Sequence, residues 1–275
     1  MAVSAIAIAS SLAGAYAGTF VTSVLGTALT QGLVGTVVAG ALSGLLPEPD
    51  EQDPIAEQQR SALINKASNN APLPVVYGYR KIGGTRVFVE VSGSTNEYLH
   101  VIIAMSEGEI NSFENIYLND ILSTDSRFNG VLNVYTHNGA DNQTADSNAV
   151  SDLGNWTSAH RLRGTAYVYV KMKFDVDAFP QGLPTITADL KGVKVFDPRN
   201  NATAWSDNPV LAIRDYLVDT RYGRGIQTSL IDDASFIVAA NYCDTTVNIG
   251  GATVKRYTTN GIINTSQGSI SILKQ

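Results

Sequence analysis

Charge is missing from the first 47 residues of this 275-residue chain: Asp, Glu, Lys, Arg and His are all absent up to Pro47. Without a basic start this stretch is no secretory signal peptide, although Ala15-Tyr16-Ala17 imitates a cleavage site. Nor does any Lys or Arg flank it to orient a membrane span. Cysteine is nearly absent as well, with Cys243 alone, so an intrachain disulfide is excluded. A lone cysteine fits assembly in a reducing cytoplasm and reads as a small buried hydrophobe on a helix. The three histidines, His100, His137 and His160, lie far apart and far from Cys243, with no metal-ligand spacing. A net charge of −6 gives a nucleic-acid surface no electrostatic support.

Catalytic patterns are missing too. There is no G-x-S-x-G, H-E-x-x-H or phosphate loop, and Gly223-Arg224-Gly225 lacks the third glycine and follows a helix. Asp232-Asp233 and Asp175-x-Asp177 suit a helix start and a turn better than acid–base chemistry. The sequence therefore offers no catalytic, cofactor or metal residue, and the expectation is a protein that is not an enzyme.

What is present divides the chain into three parts. Residues 1–47 form an apolar, Gly/Ala-rich helical segment in which Gly14, Gly18 and Gly26, then Gly32, Gly40 and Gly44, fall on steps of four. Such steps put small residues on one helical stripe, where two backbones approach closely. Two short helices broken near Gln31-Gly32 are expected. A transmembrane hairpin fits by length, but the many Gly, Ser and Thr leave it weakly apolar. A buried bundle for self-association or partner binding suits the composition better. Residues 48–71 read as an acidic, Pro-rich hinge and a short helix started by Asp53-Pro54.

Residues 72–275 read as β-rich. Val75–Arg80, a Gly83-Gly84 turn and Arg86–Val91 suggest a hairpin, and Leu99–Met105 a central strand. Ser106-Glu107-Gly108 should turn, and a tight hairpin is expected at Asn119-Asp120. From His137 to His160 the chain is polar and reads as a long surface loop. Tyr167, Tyr169, Lys171 and Lys173 then alternate with Val168, Val170, Met172 and Phe174, which predicts one buried face and one face toward solvent or a partner.

The most organised stretch is 185–226. A half-buried strand leads to the turn Asp197-Pro198-Arg199-Asn200-Asn201, and Ser206, Asp207 or Asn208 caps a helix with Pro209 at its first position. Val210, Leu211, Ile213, Leu217 and Val218 give that helix an apolar face, and Gly223 and Gly225 stop it. A second helix is expected over 230–242, and a hairpin turns at Gly250-Gly251.

The order V-F-D-P-R, W-S-D-N-P-V-L-A-I-R-D-Y-L, R-Y-G-R-G and then Asn241-Tyr242-Cys243-Asp244 resembles the tip attachment (host-specificity) protein family, the central hub of long non-contractile phage tails. Ser106-Glu107-Gly108-Glu109-Ile110, Ile116–Asp120 and Arg256–Gly261 extend the resemblance over roughly Pro72 to Gln267. It implies an α+β, β-rich fold: hub β-barrels with a few packed helices, preceded by the apolar segment. Strands from Pro72–Asp125 and Gly164–Val195 should interlock, with Pro209, Leu211, Leu217, Gly223 and Gly225 as structural keystones. It also implies a homotrimer at the tail tip of a virion, assembled in the host cytoplasm, that closes the tail tube and relays host contact to genome release. Implied partners are other tail-tip and tail-tube proteins, the end of the tape measure protein and, after triggering, the host membrane. Family members continue well beyond 275 residues, and receptor specificity lies in those later parts. The alternative is a membrane-inserted or membrane-active protein with an accessory soluble β domain; a weaker one is a peptidoglycan- or carbohydrate-cleaving tail enzyme.

Overall fold

A computed structural model describes residues 72–273, with Leu63 and Asn65 ahead of them. The apolar segment 1–47 and the remainder of the hinge 48–71, with the glycine stripe expected there, lie outside the described residues. Runs rich in Val, Ile and aromatics form the strands, as their fit to a half-buried pleated surface requires. In chain order these are β1 (Pro74–Tyr77), β2 (Tyr79–Ile82), β3 (Thr85–Ser92), β4 (Tyr98–Glu107), β5 (Ile110–Leu118), β6 (Ile121–Leu122) and β7 (Leu132–His137). A short helix α1 (Ser147–Asp152) precedes β8 (Thr165–Lys173), β9 (Ile186–Asp197) and β10 (Ala202–Trp205). Helices α2 (Pro209–Val218) and α3 (Asp233–Asp244), the hairpin β11 (Thr246–Ile249) and β12 (Ala252–Lys255), β13 (Gly261–Asn264) and α4 (Ser269–Leu273) complete the order.

The chain is α+β and β-rich, and its strands interlock across two sheets. One sheet has the order β3-β4-β8-β7; the other runs β10-β9-β5-β6, with β2 also on β9. The expected barrel does not close among the described residues: these two open sheets share one core, to which Val101, Ile103 and Met105 of β4 and Ile186, Ala188 and Leu190 of β9 all contribute. Strand β1 pairs with β13 and is itself buried at Val75 and Val76.

The hairpin expected at Gly83-Gly84 does not form. β2 pairs with β9 and β3 with β4, so the chain changes sheet at this turn. Gly84 has φ 65°, and a Cβ there would lie 2.5 Å from the carbonyl oxygen of Ala104. Only glycine lets the backbone pass that close while crossing over. Asn65 pins the crossing, donating to the carbonyls of Gly83 and Ile186 and accepting from the Ile186 amide at 2.7 Å.

β4 is the expected central strand, between β3 and β8, but it runs through Ser106 and Glu107 and turns only at Gly108. The tight hairpin of β5 and β6 forms at Asn119 and Asp120, both at positive φ.

The polar stretch 137–160 is not an open surface loop. Asp146 caps α1 by accepting from the Ala149 amide at 2.8 Å, and Ala149, Leu153 and Trp156 cluster with Ile102, Tyr167 and Tyr169. The tyrosine face of β8 is therefore buried: Tyr167 and Tyr169 are both at 0% exposure. It faces neither solvent nor a partner, because the chain's own polar segment folds back over it. Phe174 lies past the strand end and is exposed.

Candidate functional site

The residues of the 185–226 stretch meet in one junction between α2, α3, β1, β9 and the β13 end of the chain. It begins with the helix start. Asn208 is fully buried, accepts from the Val210 amide at 3.0 Å and donates to the carbonyl of Ala240 in α3 at 2.9 Å. Pro209 follows in the first turn, where no N–H is needed. One asparagine thus starts α2 and binds it to α3.

The buried face of α2 is Leu211, Ala212, Arg214 and Tyr216. Leu211 enters the common core, while Leu217 is half-buried and Ile213 is 40% exposed, so the apolar face is rotated from the expected one. The rotation follows from the polar residues that α2 must satisfy. Arg214 donates to Asp233 of α3 at 2.7 and 3.1 Å and lies over the Phe196 ring, and Asp215 turns inward.

Asp215 is the centre of the most perturbed cluster. Its Oδ2 accepts from the hydroxyls of Tyr77 in β1, at 2.7 Å, and Tyr222, at 2.8 Å. Burial raises the Asp215 carboxyl above its usual range despite these two donors. Burial and the neighbouring carboxylate push both phenols up as well. Nearby, Glu107 at the end of β4 pairs with Arg221, which also donates to the carbonyl of Arg163 at 3.0 Å. Burial raises the Glu107 carboxyl too, outweighing Arg221.

Past α2 the chain loops back onto the helix end. The amides of Arg224, Gly225 and Ile226 donate to the carbonyls of Tyr216, Asp219 and Leu217, satisfying acceptors the helix leaves open. Gly223 is packed so closely on the Tyr216 carbonyl that a side chain has no room, and Gly225 sits at φ 63°. Helix α2 itself ends earlier, with Asp219 as its C-cap.

The turn after β9 is a second tie. Arg199 forks onto Asp197 at 2.9 and 2.7 Å and reaches Asp244 of α3 at 2.7 Å. The Arg199 hydrogen bond holds the Asp197 carboxyl below its usual range. Lys255 adds bonds to Asp207 and Asp244.

An apolar cleft of about 360 Å3 opens beside the junction, lined by Tyr77, Ala212, Tyr216, Tyr257, Ile263 and Leu273 among others. No acid–base pair points into it: the Tyr77 hydroxyl is spent on Asp215. His100 is buried in β4 between Ser92 and Tyr169, His137 pairs with Asp146, and His160 stacks on Trp156, so the histidines stay apart. Among the described residues no group of three metal-ligating side chains occurs, and no helix is long and apolar enough to cross a membrane. Asp175 and Asp232 hold a turn and a helix start, and Cys243 is buried on α3.

Sequence reasoning reached Pro209, Leu211, Leu217, Gly223 and Gly225 but missed Tyr77, Glu107, Asp215, Arg221 and Tyr222. One signal was available: Asp215 lies four residues after Leu211, which puts a carboxylate on the stripe that must be buried.

No family model matches the chain. It is 25% identical over 216 residues to the baseplate hub protein pb3 of Escherichia phage T5, a match that covers 56% of this chain and 23% of that protein. The chain thus spans about a quarter of the length of the curated relative. A chain in the virion of a native gene transfer agent particle is also similar, at 18% identity and a TM-score of 0.41, covering 78% of this chain and 53% of that one. The curated similarity makes this chain phage tail hub-like and sets it with the proteins of virion tails.

Proposed function

We propose that this chain is a structural part of a phage tail-tip hub: a homotrimer that closes the distal tail tube and relays host contact to genome release. The observation that carries the reading is the similarity to a baseplate hub protein, at 25% identity over 216 residues. The junction fits a mechanical role. Its polar and charged side chains are engaged within the chain, which ties β1, β4 and β9 to the region of α2 and α3. A body joined in this way suits the transmission of force between elements.

In this reading the neighbours are other tail-tip and tail-tube proteins and the end of the tape measure protein. The uncharged segment 1–47, which lies outside the described residues, is the part that meets the host membrane after triggering. Pro209, Leu211, Leu217, Gly223 and Gly225 hold the junction. Host-receptor specificity is not assigned to these residues. Two measurements test the proposal together. The chain should sediment with purified particles, and the full chain should have a native mass three times that of one copy. A chain that is extracted by detergent and absent from particles points to the membrane reading and overturns this one, and so does a stable monomer of the full chain.

A further inference from the structure

The described strands leave several sheet edges open, and one differs from the rest. β10 and β6 are short, with four and two residues, and the exposed positions of β7 are the polar Asn133 and Thr136. β3, by contrast, has eight residues and exposes Val87, Val89 and Val91, the last two at 50%. Register explains the exposure. Val89 lies beside Val101 and Val91 beside Leu99, so both extend the core-facing side of the sheet beyond the area its own chain covers. A bulge at Val87 interrupts pairing at one end, which leaves Phe88–Ser92 as a regular edge. The one charge in it, Glu90, is turned aside and accepts from the Gly154 amide and Asn155 side chain. A long apolar edge of this kind is a template for another strand.

The same chain carries a strand pair without a sheet. β11 and β12 pair only with each other among the described residues, and a lone two-stranded hairpin is marginal in water. Cross-strand register places Val247 opposite Val254 and Ile249 opposite Ala252, so these four form one apolar face. Ile249 is 66% and Val254 41% exposed. The base of the hairpin is held by Lys255 to Asp207 and Asp244, and among the described residues a Cβ at Gly250 or Gly251, at its tip, would meet nothing within 4 Å. No charged residue occurs from Thr245 to Val254.

We infer that the β11–β12 hairpin of one copy adds to the β3 edge of a second copy, at Phe88–Ser92, extending its sheet and covering Val89 and Val91 with Val247, Ile249 and Val254. Charge selects this pairing. Each copy carries −6, so copies repel over most of their surface, whereas the hairpin is uncharged from Thr245 to Val254 and the β3 edge carries only Glu90, already engaged by Gly154 and Asn155. The two patches are different surfaces, so the contact is head-to-tail and repeats around a ring when its rotation closes. The inference rests on the homotrimer reading above and supplies its interface.

The test uses the full chain. Val89→Lys and Ile249→Lys replace exposed side chains, so both variants should keep the wild-type circular dichroism while their native mass falls from the oligomer to one chain. Under mild oxidation, a mixture of Val89→Cys and Ile249→Cys chains should give a cross-linked dimer that neither variant gives alone. A wild-type oligomer whose mass both Lys variants retain overturns this interface and leaves the hub reading standing. Cross-linking in either Cys variant alone, or none in the mixture, also overturns it. A wild-type monomer overturns the trimer reading beneath it.

Discussion

Asp215 offers the sharpest test of how the junction is held. Both phenols donate to the same oxygen, Oδ2, and the carboxyl is buried enough to be raised above its usual range. Asp215→Asn can place its carbonyl oxygen where Oδ2 stands and so keep both bonds, while it removes the buried charge. Asp215→Ala removes the acceptor and leaves two buried hydroxyls unpaired, at about 1–3 kcal/mol each, or about 2–6 kcal/mol in all. The pH sign follows from the raised carboxyl. The folded state holds the proton more tightly than the unfolded chain does. Its stabilising contribution is therefore complete below the unfolded value, near pH ~4, and is lost as pH rises through the folded value. The wild type should thus lose stability relative to Asp215→Asn between acid and neutral pH. Glu107, raised in the same direction, is present in both proteins and cancels in the difference. Guanidinium unfolding followed by tryptophan fluorescence at several pH values measures it. A pH-independent difference between wild type and Asp215→Asn, or an Asn variant as unstable as the Ala variant, would refute the reasoning.

Leu211→Ala should cost about 2–5 kcal/mol, because Leu211 is 1% exposed in the common core, and Leu211→Asp should prevent assembly by burying an unpaired charge; denaturation and particle yield measure the two. Half-buried Leu217→Asp should cost less than Leu211→Asp in the same assay. Gly223→Ala should destabilise by about 2 kcal/mol or more, since its Cβ meets the Tyr216 carbonyl, while Gly225→Ala should cost only the strain of positive φ, about 1 kcal/mol; thermal midpoints rank them. Arg199→Lys should cost about 1–3 kcal/mol despite keeping the charge, because a lysine cannot fork onto Asp197 while also reaching Asp244. Gly18→Leu and Gly40→Leu should lower particle yield while leaving the circular dichroism of the β region unchanged.

The fold was legible wherever the signal was local. β4 announced itself as an unbroken apolar run, the β5–β6 turn by Asn119-Asp120, and α2 by Asn208-Pro209. What local reading missed was the destination of a chain segment. Gly83-Gly84 has the composition of a hairpin turn, yet the same glycines let the backbone cross to another sheet past the Ala104 carbonyl. Strand alternation had a similar blind spot. Period-two spacing in β8 separates two faces but cannot say that both are covered. The cover over Tyr167 and Tyr169 comes from Leu153 and Trp156, scarce apolar residues in a segment whose average is polar.

The candidate site was hidden for a different reason. Its polar residues find partners far away in the sequence: Asp215 with Tyr77, Glu107 with Arg221, Arg199 with Asp244. No periodicity carries such pairings. They do explain why the motif is so rich in charge. Asp197, Arg199, Asn208, Arg214 and Asp215 each spend their hydrogen bonds inside the chain, on a turn, a helix start or a neighbouring helix. A motif built of internally satisfied charges specifies how strands and helices meet, and it has little left to offer an outside partner. Contacts with neighbours must then come from surfaces whose groups are unspent. In the described part of this chain the exposed apolar surfaces include the β3 edge, the β11–β12 hairpin and the cleft beside α2.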